Sequence, residues 1–386
     1  APGTQSLRRV FVAGATAQSG DPRLSATASL EEGEPIARSV QVPEDSVALM
    51  LNTSATTGKA KGVMLTLANI GFNYDRTPGW LGITTDTVTL CALPLYNTFG
   101  LNQCINALMV TGASMVLMER FDPGACLEAI EKYRCTFFPA VPTMLQRLFD
   151  HPEAPRRDLS SISRIMTGAA PVPAALLERI HAAMGRDTVV MSGYGLTEGT
   201  AIATLEHIEL DEHGRVRRPK CIGRILPGVE VTIRREDGSE AEAGEGGEIC
   251  LRGPLVMAGY YRQPEETAAA LAGGWLHTGD LGYFSPDGYG YIVDRKKDII
   301  IRGGQNIYPA DIEEVLYAYP GVSEVAVVAM ADEDFGEVPV AYVALLPGMN
   351  VGADDLLAYC RREMAYFKVP AQIRFLPELP KGPTGK

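Results

Sequence analysis

Ser46-Val-Ala-Leu-Met-Leu51-Asn-Thr53-Ser-Ala-Thr-Thr-Gly58-Lys-Ala-Lys61-Gly62 runs a short apolar strand straight into a loop of hydroxyl residues, glycine and lysine. Small residues leave backbone N–H groups and hydroxyls free to wrap phosphate oxygens, and Lys59 and Lys61 add positive charge. The loop is not a Walker motif: Gly58-Lys59 needs Gly at 53 and Ser or Thr at 60, and finds Thr53 and Ala60. By composition the stretch suits a surface turn as well as a phosphate cradle. Its place directly after a strand favours the cradle.

Downstream, strand-like runs at Val88–Leu93, Ser114–Met118, Arg164–Met166 and Val189–Met191 alternate with helical patterns at Ala125–Tyr133, Pro142–Asp150 and Ala174–Met184. That alternation predicts an α/β fold with a mostly parallel sheet flanked by helices. From about residue 222 the texture becomes that of antiparallel hairpins, a distorted β subdomain. After Arg295 a compact, mobile α+β unit follows, with helices at Pro309–Tyr319 and Ala353–Arg362. The expected domains are therefore 1–294 and 295–386. The first 45 residues hold one strand-like run, Arg9–Ala13.

The chain has 386 residues with 35 basic and 47 acidic side chains, a net charge of −12. An acidic balance argues against nucleic acid or an anionic membrane as partner. Seven cysteines without a C-x-x-C pair read as buried free thiols of a reducing, cytoplasmic compartment. The five histidines show no ligand spacing for zinc. Thr87–Met118 carries no charge, but Pro94, Asn97, Gly100 and Gly112 interrupt it, so it reads as a buried strand and helix rather than a transmembrane segment.

Three further motifs carry chemistry. Gly193-Tyr-Gly-Leu-Thr-Glu198 follows a strand but lacks the last glycine of a dinucleotide fingerprint. A carboxylate at a phosphate site repels unless a cation lies between, so Glu198 points to Mg²⁺; the bland alternative is a strand-end turn. Gly274-Trp-Leu-His-Thr-Gly-Asp280 precedes Asp294-Arg-Lys-Lys-Asp298. A two-residue Asp287-Gly288 turn would set Asp280 opposite Arg295, as a ribose clamp or an ordinary cross-strand ion pair, and Pro286 can shift that register by one. Pro380-Lys-Gly-Pro-Thr-Gly-Lys386 alone is a solvated tail.

The order of these motifs resembles the adenylate-forming superfamily of acyl-CoA synthetases, firefly luciferase and peptide-synthetase adenylation domains. Gly303-Gly-Gln-Asn-Ile-Tyr-Pro309 is similar to the fatty-acyl and aryl CoA ligases. The resemblance implies an AMP-forming acid–thiol ligase: a carboxylate attacks ATP to give acyl-AMP and pyrophosphate, and CoA then displaces AMP. It implies ATP, Mg²⁺ and coenzyme A, with a neutral fatty or aromatic small-molecule acid as substrate and a homodimer as a compatible assembly. By residue match, Thr53, Ser54, Thr56, Thr57, Gly58 and Lys61 hold the β,γ-phosphates, and Thr197 and Glu198 the α-phosphate and Mg²⁺. Gly168, Ala169, Ala170, Pro171 and Tyr194, with Gly195, belong to the adenine site, and Asp280 and Arg295 to the ribose. Asn97, Gly100 and Gly193 fall at the acyl pocket, Lys297 at the hinge, Gly304 on the thiol's approach, and Lys386 at the catalytic lysine.

This sequence departs from the family in places. Ala55 replaces a usual Gly, Ala60 a common Pro, Asn97 a common His, and Gly382 a usual Thr. The family carries roughly another 100 residues, a domain's worth, before the phosphate loop, so a truncated or shortened member is the expectation. The alternatives are an adenylating enzyme that loads a carrier-protein thiol, and a non-catalytic nucleotide-binding remnant.

Overall fold

A computed structural model describes residues 10–12, 24–26, 41–53, 60–170, 172–185, 187–346 and 348–380. Residues 1–43 and 44–386 are two compact units. In the first, Val10–Val12 pairs in parallel with Leu24–Ala26; Arg9 and Ala13 lie outside the described residues.

In the second unit, the alternating pattern becomes five parallel strands: Val88–Cys91, Ser114–Leu117, Phe137–Ala140, Arg164–Gly168 and Val189–Gly193. Antiparallel strands continue the same sheet on the far side of Val189–Gly193, giving eleven strands in all. The β subdomain is thus an extension of the parallel sheet. One face buries Ile165, Phe138 and Val190 under the helices Pro123–Tyr133, Pro142–Asp150 and Ala174–Met184. The other buries Met166, Met191 and Phe137 with Phe72 of the helix Leu67–Leu81.

The strand that opens the phosphate loop is not part of this sheet. Val47–Asn52 is the edge of a three-stranded antiparallel sheet with Gly62–Thr66 and Gly259–Tyr260. The loop is therefore the connection of a hairpin, closed at its neck by Thr53 N–H donating to Lys61 O (3.0 Å) and Lys61 N–H to Thr53 Oγ1 (3.2 Å). Ser54, Thr56, Thr57 and Gly58, with Pro171 and Lys386, lie outside the described residues.

Residues 300–376 build a smaller sheet from Gln305–Ile307, Ile300–Arg302, Gly336–Leu345 and Val322–Asp332, with Gln372–Phe375 parallel to Gly336–Leu345. Ile312 and Leu316 of the helix Pro309–Tyr317, and Leu356 and Cys360 of the helix Ala353–Glu363, complete its core. No helix among the described residues is long and apolar enough to cross a membrane.

Glu313 lies on the inner side of that first helix, where its Oε1 accepts from Val327 N–H (2.9 Å). Burial lifts its carboxyl from the ordinary 4.5 to about 7; the Val327 bond opposes the rise and the charges of Asp294 and Asp298 add to it. The folded protein therefore binds this proton more tightly than the unfolded chain. Its contribution to stability is full below pH 4.5 and is lost as pH rises through 7. Glu313→Gln keeps an acceptor for Val327 and removes the titration. The variant should gain on the wild type by about 1–3 kcal/mol between pH 4.5 and 8, measured by urea unfolding across that range. A pH-independent difference would refute the assignment.

Candidate active site

The two strands that carry the adenine-site candidates end side by side, Gly168 opposite Gly193. A Cβ on Gly168 would lie 2.8 Å from Gly193 O, and one on Gly193 would lie 2.7 Å from Thr204 O. Both glycines are required by backbone approach. Ala169 follows in the left-handed region (φ 66°), a strained choice for a residue with a Cβ. Gly195-Leu196 folds back on Ala201-Ile202, with the short turn Thr197–Gly199 between them. There the Gly195 Cα comes so close to Ala201 O that no side chain fits.

Tyr194 is buried, and its hydroxyl donates to Asp280 Oδ2 at 2.6 Å. Burial, and then the Asp280 carboxylate, push this phenol well above its ordinary pKa, so it stays a donor. Arg295 Nε stands 3.5 Å from Asp280 Oδ1. The pairing of Asp280 with Arg295 arises by a route the turn argument misses. Ser285 and Tyr289 close a three-residue Pro286-Asp287-Gly288 loop, which moves the register by one. The register then shifts back between Leu281 and Gly282, where Val293 is the extra residue, and Asp280 returns to Arg295.

Glu198 sits in the turn beyond Tyr194. Its Oε1 accepts from Tyr260 Oη at 2.9 Å, and Lys61 Nζ lies over the Tyr260 ring, 4.6 Å from its centre. Burial and the Glu198 carboxylate raise the Tyr260 phenol far above its usual value. Tyr260 has no motif of its own in the sequence. It reaches the site because its strand pairs with Gly62–Thr66, which positions Lys61 as well.

Other candidates have backbone roles. Asn97 Oδ1 accepts from Gly100 N–H (2.8 Å) and caps the turn Thr98–Gly100. A Cβ on Gly100 would stand 2.2 Å from Pro94 O. Gly303 and Gly304 (φ 56° and 84°) form the two-residue hairpin loop between Ile300–Arg302 and Gln305–Ile307, where both positions need positive φ. Lys297 is exposed in the turn after Arg295.

Beneath Asp280, Glu248 Oε1 accepts from Gly279 N–H (3.1 Å), while Oε2 lies 3.3 Å from both His277 Nδ1 and Lys296 Nζ. Cys250 Sγ is 3.4 Å from the same His277 nitrogen. Among the described residues these three bring metal-ligating atoms together despite their unpromising spacing, although the Lys296 ammonium already occupies the carboxylate.

Residues 5–261 match the AMP-binding enzyme family, and residues 311–386 the AMP-binding enzyme C-terminal domain. The chain belongs to the AMP-binding enzyme family. The resemblance read from the motif order is borne out. A long-chain-fatty-acid–CoA ligase of Bacillus subtilis (strain 168) is 39% identical over 347 residues, 89% of this chain and 61% of the relative. A feruloyl-CoA synthase of Amycolatopsis sp is 38% identical over 89% of this chain and 68% of its own. The o-succinylbenzoate CoA synthetase of Bacillus subtilis, solved with an acyl-adenylate intermediate, superposes with a TM-score of 0.81 at 34% identity, covering 94% of this chain and 73% of that one. The chain spans about three fifths of the length of the Bacillus fatty-acid ligase.

All seven cysteines of this AMP-binding enzyme are buried free thiols. Burial and then the Glu248 charge push the Cys250 thiol up to about 12, and burial is the main cause that lifts Cys126, Cys135, Cys221 and Cys360 to about 11. Thiolate is the reactive form. A disulfide reagent at pH 8 should therefore label these five thiols slowly in the native protein and all seven in urea. Rapid native labelling of Cys250, read by mass spectrometry, would contradict this placement.

Proposed function

We propose that the chain is an ATP-dependent carboxylate–CoA ligase that acts on a neutral fatty or aromatic acid. The observation that carries the reading is the constellation of buried Tyr194, half-buried Asp280 and exposed Arg295 beside the Gly168–Gly193 floor. A carboxylate held by a hydroxyl beside a guanidinium is the group that would accept from ribose hydroxyls. The relatives named as CoA ligases support the chemistry.

In the first step an oxygen of the acid's carboxylate attacks the α-phosphorus of ATP. The bond to the bridging oxygen breaks, pyrophosphate leaves with its electron pair, and acyl-AMP forms. Thr53, Ser54, Thr56, Thr57, Gly58 and Lys61 hold the β,γ-phosphates, and Gly168, Ala169, Ala170, Pro171 and Gly195 border the adenine. Tyr194 positions Asp280. Thr197 faces the α-phosphate. The Glu198 carboxylate accepts from a neutral phenol, and a carboxylate beside phosphate oxygens suits Mg²⁺. Bound there, Mg²⁺ would neutralise charge on the leaving pyrophosphate. Lys386 stabilises the charge between carboxylate and α-phosphate. In the second step the thiol sulfur of CoA attacks the acyl carbonyl past Gly304, AMP leaves, and the thiol proton passes to solvent. Residues 295–386 turn about Lys297 between the steps, against residues 1–294, with Asn97, Gly100 and Gly193 at the acyl end. The reaction belongs in the cytoplasm.

Pyrophosphate–ATP exchange driven by a panel of neutral acids tests the reading, followed by thioester formation with CoA. Glu198→Gln should slow exchange on the order of 10²-fold and Lys386→Ala by a similar factor. Thioester formation from preformed acyl-AMP should change less than about threefold in Lys386→Ala. Equal loss in both half-reactions would remove Lys386 from adenylation. AMP binding without exchange for any acid would instead identify a nucleotide-binding remnant, and thioester formation only on a phosphopantetheinyl carrier would replace CoA as acceptor.

A further inference from the structure

His277 stands directly opposite Cys250 in the ladder between Gly247–Arg252 and Leu276–Phe284. Glu248 lies two residues before Cys250, the spacing that returns a strand to the same face. Between those two residues the register shifts, so that Thr278, Gly279 and Asp280 stand against Ile249 alone. The shift brings the Gly279 amide onto Glu248 Oε1 and leaves Oε2 turned toward His277 and Lys296.

His277 Nδ1 is 3.4 Å from Cys250 Sγ and 3.3 Å from Glu248 Oε2. One ring nitrogen cannot both donate to the carboxylate and accept from the thiol. A single cation among the three atoms answers all of them. Tetrahedral Zn²⁺, at about 2.0–2.3 Å from its N, O and S ligands, holds neighbouring ligand atoms about 3.4–3.6 Å apart. The two separations at Nδ1 match that spacing closely, and one ligand atom from each residue lies within 4.8 Å of the other two. Thiolate, imidazole and carboxylate together suit zinc, whereas Mg²⁺ and Ca²⁺ take oxygen ligands. The Gly279 bond to Oε1 fixes the carboxylate, the kind of support that orients a metal ligand. Cys250 is fully buried, while half-buried His277 and exposed Lys296 leave a way in. Against the metal stands the Lys296 ammonium on Oε2, an ion pair with an exposed partner and therefore a weak one.

We infer that Glu248, Cys250 and His277 form a zinc site, with the fourth position left to water, and that Lys296 competes with the metal for it. Zn²⁺ takes the place of the Cys250 proton, which passes to solvent, because a coordinating thiol is deprotonated outright. The Lys296 ammonium moves off the carboxylate into water. Occupancy then joins the two strands beneath Asp280, while Oε1 keeps its Gly279 bond, and it frees the side chain next to Lys297.

The test uses the metal alone on tag-free protein stripped with EDTA. Zn²⁺ is titrated against a chromogenic chelator, and Co²⁺ serves as its coloured substitute. One Zn²⁺ per chain should bind with a Kd of about 10 μM or tighter. Excess Mg²⁺ should not displace it. Cys250→Ser and His277→Gln should each weaken binding by about tenfold or more. The Co²⁺ form should show a thiolate-to-metal charge-transfer band that Cys250→Ser abolishes. Lys296→Met is an exposed change that leaves all three ligands in place, and it should tighten zinc by about threefold or more. Zinc should also raise the urea midpoint of the wild type and not that of Cys250→Ser. Weaker binding by the wild type, displacement by Mg²⁺, or a Co²⁺ spectrum without the thiolate band would each overturn the site. Affinity unchanged in Cys250→Ser and His277→Gln would place the metal elsewhere and overturn it too. Affinity unchanged in Lys296→Met would overturn the competition. The Co²⁺ spectrum of the wild type and the Lys296→Met titration decide the matter even where a ligand variant fails to fold.

Discussion

One hydrogen bond ties the two halves of the large sheet together at the candidate site: Tyr194 Oη to Asp280 Oδ2, across 86 positions of sequence. Tyr194 leaves the parallel strands at their last residue, and Asp280 stands in the antiparallel extension. The bond is short, buried at the phenol end and charge-assisted, a class about twice as strong as neutral pairs. Its geometry depends on everything around it. Gly193 lets the strand pass Thr204 O, Gly195 lets the chain reverse against Ala201, and Glu248 holds the Gly279 amide so that Asp280 faces inward.

Local pattern revealed the elements whose burial is periodic. The helices Pro142–Asp150 and Ala174–Met184 begin and end where their sequence pattern does. The helix Leu67–Leu81 was invisible because Gly71, Pro78 and Gly79 punctuate it as a loop would. A reciprocal cap marks its start: Thr66 Oγ1 accepts from Asn69 N–H, and Asn69 Oδ1 from Thr66 N–H. Asn in place of the usual Glu or Gln hides that signal. Asn69 also donates to Pro254 O and Val256 O, a use that only the assembled fold explains.

The site was readable where one motif holds both partners and unreadable where distant strands meet. Asp280 and Arg295 lie in one hairpin, so their pairing followed from the turn, although two single-residue shifts had to cancel for it to hold. Tyr260 reaches Glu198 only because a two-residue strand docks on the phosphate-loop hairpin. The resemblance sets Gly193 at the acyl pocket and Gly195 at the adenine site, whereas their immediate reason is the carbonyl each would strike. A glycine motif and a crowded backbone leave the same mark in sequence.

The contacts between the large sheet and residues 295–386 differ from this interior in kind. Asp294, next to the Arg295 that meets Asp280, accepts from Ala310 N–H (3.0 Å) at the start of the helix Pro309–Tyr317. Lys220 bridges Asp311 and Glu314 of that helix at 3.1 and 2.7 Å, and Lys368 shares Asp311 at 2.7 Å. Gln146 donates to Ser323 O, and Arg147 reaches Glu378. Partly exposed ion pairs of this sort contribute on the order of 1 kcal/mol or less each. They hold an orientation without the apolar interlock that makes a core resist rearrangement. Asp294 and Arg295 are adjacent, yet one belongs to the helix start and the other to the Asp280 clamp. A rotation about the residues just beyond them would break the Lys220 bridges and leave the buried Tyr194–Asp280 bond intact. For the proposed two-step reaction, that asymmetry would place a firmly held Tyr194–Asp280 pair beside an exchangeable surface.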